Sequence, residues 1–246
     1  MFRVRPLRFA APVTLAARSL IQDFWEAKVN WDEPLDDHFL GRWRLWNAQL
    51  PSLSELRIPR TYFLPESEFS ECEMQLHIFS DASEIEYGAS SYLRVKYPDG
   101  TIHCSFVMGK VRNAPVKFTS ISRLELQAAV LSTRINKTLG EELDLNIQST
   151  TYWTDSEIVL HYLKNEKRRF QTFVANRVEE IRENSHSTEW NHVPGTLNPA
   201  DDASRGINPS ELTRNHRWLR GPSSYGNPSL HGQMLDLQKS LTKIWS

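Results

Sequence analysis

The sequence predicts an α/β fold: a mixed five-stranded sheet, three antiparallel strands followed by parallel ones, flanked by helices and preceded by a helical extension. Three observations point there. Residues 74–113 hold three strand-like runs, the last two joined by the turn sequence Pro98-Asp99-Gly100. Beyond residue 120, helical periods alternate with short β-branched or aromatic runs, the pattern of strands connected through helices. The composition is that of a globular protein, with 39% hydrophobic and 24% charged residues in 246, enough for one good core and a smaller appendage.

Taken in order, "TLAARSLIQDFWEAKV" places Leu15, Leu20, Ile21, Phe24 and Trp25 near helical spacing behind Thr14 as N-cap. A second helix carries Phe39, Leu40, Trp43, Leu45 and Trp46, and so many aromatics require a surface to cover them. Pro51, Pro59 and Pro65 mark an extended connector. "MQLHIFSDAS" alternates Met74, Leu76 and Ile78 against Gln75, His77 and Phe79, as a strand does. "ISRLELQAAVLSTRINKTLG" reads as a helix stopped by Gly140. "TTYWTD" is a short strand, "SEIVLHYLKN" a helix, and "RRFQTFVANRVEEIREN" an amphipathic helix through Phe170, Phe173, Val174, Val178 and Ile181. "TEWNHV" is the last strand. "NPADDASRG" then opens a helix with Asn198 as N-cap and Pro199 in its first turn. Residues 222–246 read as a loose tail with one terminal helix.

The formal net charge of -1 advertises no nucleic-acid partner through a global field, although a nucleic-acid enzyme needs only its binding face basic. Two cysteines, Cys72 and Cys104, are too few for a disulfide framework and fit a reducing compartment. No run approaches the roughly 20 apolar residues that cross a membrane. The arginine-bearing start, free of acids before Asp23, has the look of a mitochondrial presequence, but the plainer reading is a segment cut from a longer ancestral chain. Pro12 and Arg18 argue against a secretory signal.

Four acids carry the chemistry. Asp81 and Asp155 fall where strands end, the usual ligand crevice of such sheets. Glu125 interrupts an apolar helix face, and Asp201 opens the last helix. Each of the first three has a plain structural alternative: Asp81 as a turn residue, Glu125 as a surface acid, Asp155 as an N-cap. Together they form a hard oxygen set suited to Mg²⁺ or Mn²⁺ and not to zinc. Two such ions can activate a water and clamp a phosphodiester.

The stretches "FSDAS", "ISRLELQAAVLSTRI", "YWTDSEIVLHYL", "RRFQTFVANRVEEI" and "VPGTLNPADDASRG" resemble the ribonuclease H region of BEL/Pao-type retrotransposon polyproteins, the Pao retrotransposon peptidase family. The resemblance is close over residues 74–206. It implies a ribonuclease H-like domain over 74–207, a linker over 61–73, a helical remnant of the reverse-transcriptase connection over 1–60, and a C-terminal linker and tail over 208–246. It also implies that Asp81, Glu125, Asp155 and Asp201 are the metal-binding catalytic acids, holding two Mg²⁺ or Mn²⁺ ions, and that the RNA strand of an RNA–DNA hybrid is the substrate. The reverse-transcriptase portion of a parent polyprotein is an implied partner, and the cytoplasm or nucleus the implied location.

Asp202 departs from the pattern, which carries an apolar residue there. About 100° round the helix from Asp201, it is expected on the face packed against the sheet, where an unpaired carboxylate would cost several kcal/mol. The histidine that cellular ribonucleases H carry before the last Asp is also missing from "VPGTLNPAD", and His192, in the preceding strand, is not expected to replace it. Lys164, Lys167, Arg168 and Arg169 form the densest basic cluster, either tracking a phosphate backbone or simply solvated. A catalytically degenerate or domesticated fragment that keeps the fold and binds nucleic acid is the alternative function. An aspartic peptidase is rejected, because "SDAS" and "TDSE" lack the glycine after Asp-Ser/Thr. Polymerase activity is rejected too, because Asp36-Asp37 sits in a helix-rich context.

Overall fold

A computed structural model describes residues 9–59, 61–64, 71–165, 167 and 169–222. The expected terminal helix beyond residue 222 and Pro65 of the connector lie outside them. Five strands, β1 (Glu73–Ala82), β2 (Glu86–Lys96), β3 (Ile102–Asn113), β4 (Ser149–Thr154) and β5 (Trp190–His192), form one sheet in the order β3-β2-β1-β4-β5. β1–β2 and β2–β3 pair antiparallel; β1–β4 and β4–β5 pair parallel. This is the mixed sheet that the sequence predicts.

The β2–β3 turn closes at Gly100, whose φ of 85° suits glycine, with its N–H donating to the Tyr97 carbonyl. β1 departs from simple alternation. As the central strand it is covered on both faces, so His77 and Phe79 are as buried as Leu76 and Ile78. Trp153 of β4 donates its indole N–H to His77 Nδ1 at 3.2 Å, which satisfies that nitrogen in the core.

Helix α3 (Ile121–Glu142) lies across β1 and β2 and, with α4 (Glu157–Lys164) and α5 (Thr172–Asn184), covers one face. Its buried stripe runs through Leu124, Ala128, Leu131 and Ile135, the i, i+3/i+4 spacing of one helical face. Gly140 does not stop α3, which continues through Glu142 because nothing in the chain there imposes a left-handed cap. The opposite face carries α6 (Asp201–Arg205) and α7 (Arg217–Arg220), together with the turn ahead of helix α1 (Leu15–Glu26). Here Ala11, Val13, Val111, Ala203, Ile207, Leu212 and Trp218 form a second core. The Trp218 ring lies over Gly109, where an added Cβ would sit 2.4 Å from it, and its N–H donates to the Phe9 carbonyl at 2.6 Å.

Helix α2 (Asp37–Gln49) is capped by the Asp36 carboxylate, which accepts from the Phe39 N–H at 2.9 Å. No residue of α2 is buried; Phe39 and Trp46 are half-buried, whereas Trp25 of α1 and Trp31 of the loop before α2 stay open, at 68% and 91% exposure. Thr14, the expected N-cap of α1, makes no capping bond; its hydroxyl donates to the Ala11 carbonyl instead.

Glu86 at the start of β2 is fully buried, and neither carboxylate oxygen has a hydrogen-bond partner among the described residues. The Arg18 guanidinium approaches only to 3.8 Å and spends a donor on the Val111 carbonyl. Burial therefore pushes the Glu86 carboxyl up to about 7, with Arg18 opposing weakly. Its folded pKa lies above the unfolded one, so the folded state binds the extra proton and loses stability as pH rises from about 4.5 to about 7. Glu86→Gln is expected to match the parent near pH 4 and to exceed it above pH 7 by up to about 3 kcal/mol. Urea unfolding at both pH values checks this; a difference that does not grow with pH counts against it.

Candidate active site

Parallel pairing of β1 with β4 sets Ser80 opposite Thr154. The next residue of each strand, Asp81 and Asp155, therefore emerges side by side at the same end of two neighbouring strands. Asp81 lies inside β1 rather than in a turn, and it is buried. Asp155 is half-buried and does not cap α4; Ser156 takes that task, its hydroxyl accepting from the Val159 N–H at 3.3 Å. The same hydroxyl donates to Glu125 Oε2 at 2.6 Å. Glu125 is thus held from α3 against the residue that follows Asp155.

Asp201 arrives from the other face. It sits in the first turn of α6, and one turn later the Ser204 hydroxyl donates to Asp81 Oδ2. Gly88, paired with Asp81 across β1–β2, allows α6 this close: a Cβ there would lie 2.7 Å from that of Ala203. The predicted N-cap, Asn198, does a different job. α6 begins at Asp201, two residues later than Pro199 would start it, because the chain first makes a 3-10 turn over Gly195–Leu197. Asn198 is fully buried, donates to the Ser80 carbonyl at 3.0 Å and accepts from the Ala200 N–H at 3.1 Å. It ties the loop before α6 to the end of β1. Asn198, Ser204 and Ser156 were not expected as site residues; only their nearness in sequence to the acids could have marked them.

Electrostatics follow from this crowding. Burial first, then the Asp155 charge, pushes the Asp81 carboxyl up to about 7; the Ser204 hydrogen bond opposes and Asp201 adds to the rise. Asp155 is also raised, chiefly by burial and further by Asp201, while a hydrogen bond with Asp81 and the nearby His192 work the other way. His192 is half-buried on β5, close enough for its charge to act on Asp155, a neighbour that sequence reasoning had set aside. Such mutual repulsion in a shielded place is the chemistry that favours a cation. The four carboxylates are gathered without being converged. Among the described residues, no group of three His, Cys, Asp or Glu side chains is placed to hold a metal ion as it stands.

The reason lies partly in Asp202 and the arginine it recruits. Asp202 is buried, as its place on the helix predicts, but it is not unpaired. Arg217 of α7 donates to Asp202 at 2.9 and 2.7 Å and to Asp201 Oδ2 at 2.9 Å. Arg205 also pairs with Asp201 from one turn along α6. The second aspartate is therefore a docking point for the C-terminal segment, and through Arg217 it shares a cation with the first. Asp202→Leu, which would restore an apolar residue, is expected to cost about 1–3 kcal/mol, since the Arg217 guanidinium loses its main partner beside a buried site. A thermal melt checks this; a variant as stable as the parent would make Asp202 dispensable.

Of the basic cluster, Lys164 ends α4 and is exposed, as are Lys167 and Arg169; Arg168 lies outside the described residues. Lys164 also suits the negative end of its helix, a structural reason for its charge.

The solved structures that are similar include three that match over about half of the chain. An RNase H domain of Mycobacterium tuberculosis shares 12% identity over 54% of this chain and 94% of its own, with a TM-score of 0.35. RNase H1 of Halobacterium salinarum shares 14% over 54% and 93%, TM-score 0.31. LC11-RNase H1, solved with an RNA/DNA hybrid, shares 10% over 51% and 88%, TM-score 0.30. Likeness at this level carries no argument about chemistry, and no curated protein matches the chain. The family comparison is stronger. Residues 5–156 match the family described as Pao retrotransposon-like RNaseH-like domain, a span that takes in Asp81, Glu125 and Asp155 and stops short of Asp201. With well over half of its length inside that match, the chain belongs to the Pao retrotransposon-like RNaseH-like domain family.

Proposed function

We propose that the protein is a metal-dependent endonuclease that hydrolyses the RNA strand of RNA–DNA hybrids, with Asp81, Glu125, Asp155 and Asp201 as its acids. The observation that carries this reading is the parallel register that sets Asp81 beside Asp155 at neighbouring strand ends, in surroundings that resist their joint ionisation. Magnesium or manganese ions bound there, two by the family resemblance, would supply Lewis acidity toward the phosphodiester and its attacking water. The chain's own part is to hold the carboxylates: Ser204 orients Asp81, Ser156 orients Glu125, and Asn198 fixes the loop that leads to Asp201. Lys164, Lys167, Arg168 and Arg169 are the proposed contacts to the phosphate backbone.

In a parent polyprotein, residues 1–60 would be the remnant of the reverse-transcriptase connection, a reading supported by the open faces of Trp25, Trp31 and Leu45. The second reading, a fragment that binds nucleic acid without cutting it, is favoured by the two arginines that hold the Asp201 carboxylate.

Purified chain is mixed with hybrid labelled on the RNA strand, in Mg²⁺, Mn²⁺ or EDTA. The expected result is metal-dependent shortening of RNA with DNA intact, and a melting temperature that rises with metal. A folded protein that neither cuts nor gains stability from either ion would move the assignment to the binding fragment.

A further inference from the structure

Away from the acids, a cavity of about 130 Å³ opens between the connector, the edge strand β3 and the C-terminal segment. Among the described residues, its wall includes Arg57, Arg214, Arg220 and His103, with the neutral hydroxyls of Thr61 and Ser105, and no aspartate or glutamate. In a chain with slightly more acids than bases, that is a local excess of positive charge. None of the three arginines joins an ion pair among the described residues.

Two of the guanidiniums are steadied by neutral acceptors, which orient them without cancelling their charge. Arg220 donates to Asn215 Oδ1 at 2.8 Å and, more weakly, to the Arg214 carbonyl at 3.4 Å. Arg57 donates to the Ser54 carbonyl at 2.6 Å. The Ser105 hydroxyl donates to the Tyr62 carbonyl at 3.0 Å and so accepts from His103 Nε2 at 3.0 Å. Burial, and then the Arg220 charge, lowers the pKa of His103.

We propose that this cavity binds a phosphate group through Arg57, Arg214 and Arg220. Planar guanidiniums match phosphate oxygens two at a time, and their wide donor spread suits a tetrahedral anion better than ammonium groups would. The volume is below the range of whole small-molecule sites, so the rest of the ligand stays outside. Arg214 and Arg220 lie three residues either side of Arg217, which touches Asp201 and Asp202. One short segment therefore links the cavity to the acid cluster. The phosphate has two sources: a nucleic-acid strand, which rests on the function proposed above, or a free phosphate or phosphomonoester, which does not.

The test uses the full chain carrying Asp81→Asn, in EDTA, so that binding is read without hydrolysis. Inorganic phosphate is titrated at constant ionic strength while NMR follows the His103 ring and the Arg57 Nε–H. Binding of labelled RNA–DNA hybrid is measured by anisotropy across a salt series. Both are repeated with Arg214→Gln/Arg220→Gln, with Arg57→Gln as an independent variant should the double one melt early, and with Lys137→Gln on the exposed side of α3 as control.

Saturable phosphate shifts that weaken at least tenfold in the cavity variants support the site. A hybrid salt slope that falls by about 1 per arginine removed also supports it and identifies the strand as the source. Phosphate shifts lost with the hybrid slope unchanged identify the free anion. No saturable shift in the parent, or shifts that survive the variants, together with an unchanged slope, overturns the proposal. If no form binds hybrid at all, the phosphate arm decides the cavity alone and only the nuclease assignment suffers.

Discussion

Asp81→Asn is expected to reduce metal-dependent cutting of the hybrid by on the order of a thousandfold or more, the scale on which loss of a group at the reacting centre acts. The same change is expected to leave the metal-free protein more stable at pH 8. The Asp81 carboxyl is raised to about 7 against 3.8 when unfolded, so the folded state holds a proton that the unfolded state releases. Stability from this group is intact below about 3.8 and falls as pH rises toward about 7. Asparagine removes that loss and still accepts from the Ser204 hydroxyl. Cleavage assays with urea unfolding at pH 4 and pH 8 measure both halves. A variant that cuts like the parent would remove Asp81 from the chemistry, and one less stable at pH 8 would mean that its carboxylate is not under repulsion.

Trp218→Ala is the largest expected loss of stability, about 3–5 kcal/mol by the scale of large-to-small changes in a core. The side chain is fully buried. Its ring meets Gly109 and Phe106, its N–H reaches the Phe9 carbonyl, and its own carbonyl accepts from the Tyr92 hydroxyl at 2.9 Å. Nothing nearby can fill the space without moving, since Gly109 has no side chain to lean in. Denaturant unfolding gives the magnitude, and amide hydrogen exchange should show residues 9–26 losing protection before the β1–β2–β3 meander does. A cost under about 1 kcal/mol would mean that the C-terminal segment is not part of the core.

Most of the strand and helix order is legible in the sequence because it depends on local patterns. The Pro98-Asp99-Gly100 turn fixes the hairpin, and the α3 stripe has a helical period. What escaped was decided by distant partners. His77 and Phe79 look outward from β1 until β4 and the elements of the second face cover them. Asp155 looks like an N-cap until Ser156 takes the role one residue on. Asp202 looks like an unpaired buried carboxylate until Arg217, fifteen residues away, pairs with it. The acids themselves stand out by their place at strand ends, but Ser204, Ser156 and Asn198 do not, since a serine or asparagine in a turn has many local uses.

The second face of the sheet has a consequence for how the chain is born. Residues 9–26 leave the ribosome well before Trp218, yet the bond that holds their leading edge comes from that residue, among the last of the described ones to emerge. The β1–β2–β3 meander and α3 can assemble meanwhile from one contiguous stretch. Until residues 201–218 arrive, Phe106, Gly109 and Val111 present a bare apolar strip beside an open strand edge, the kind of surface that pairs with other chains. Translation that stalls or stops near residue 195 would therefore release a nascent chain with a folded half and an adhesive one.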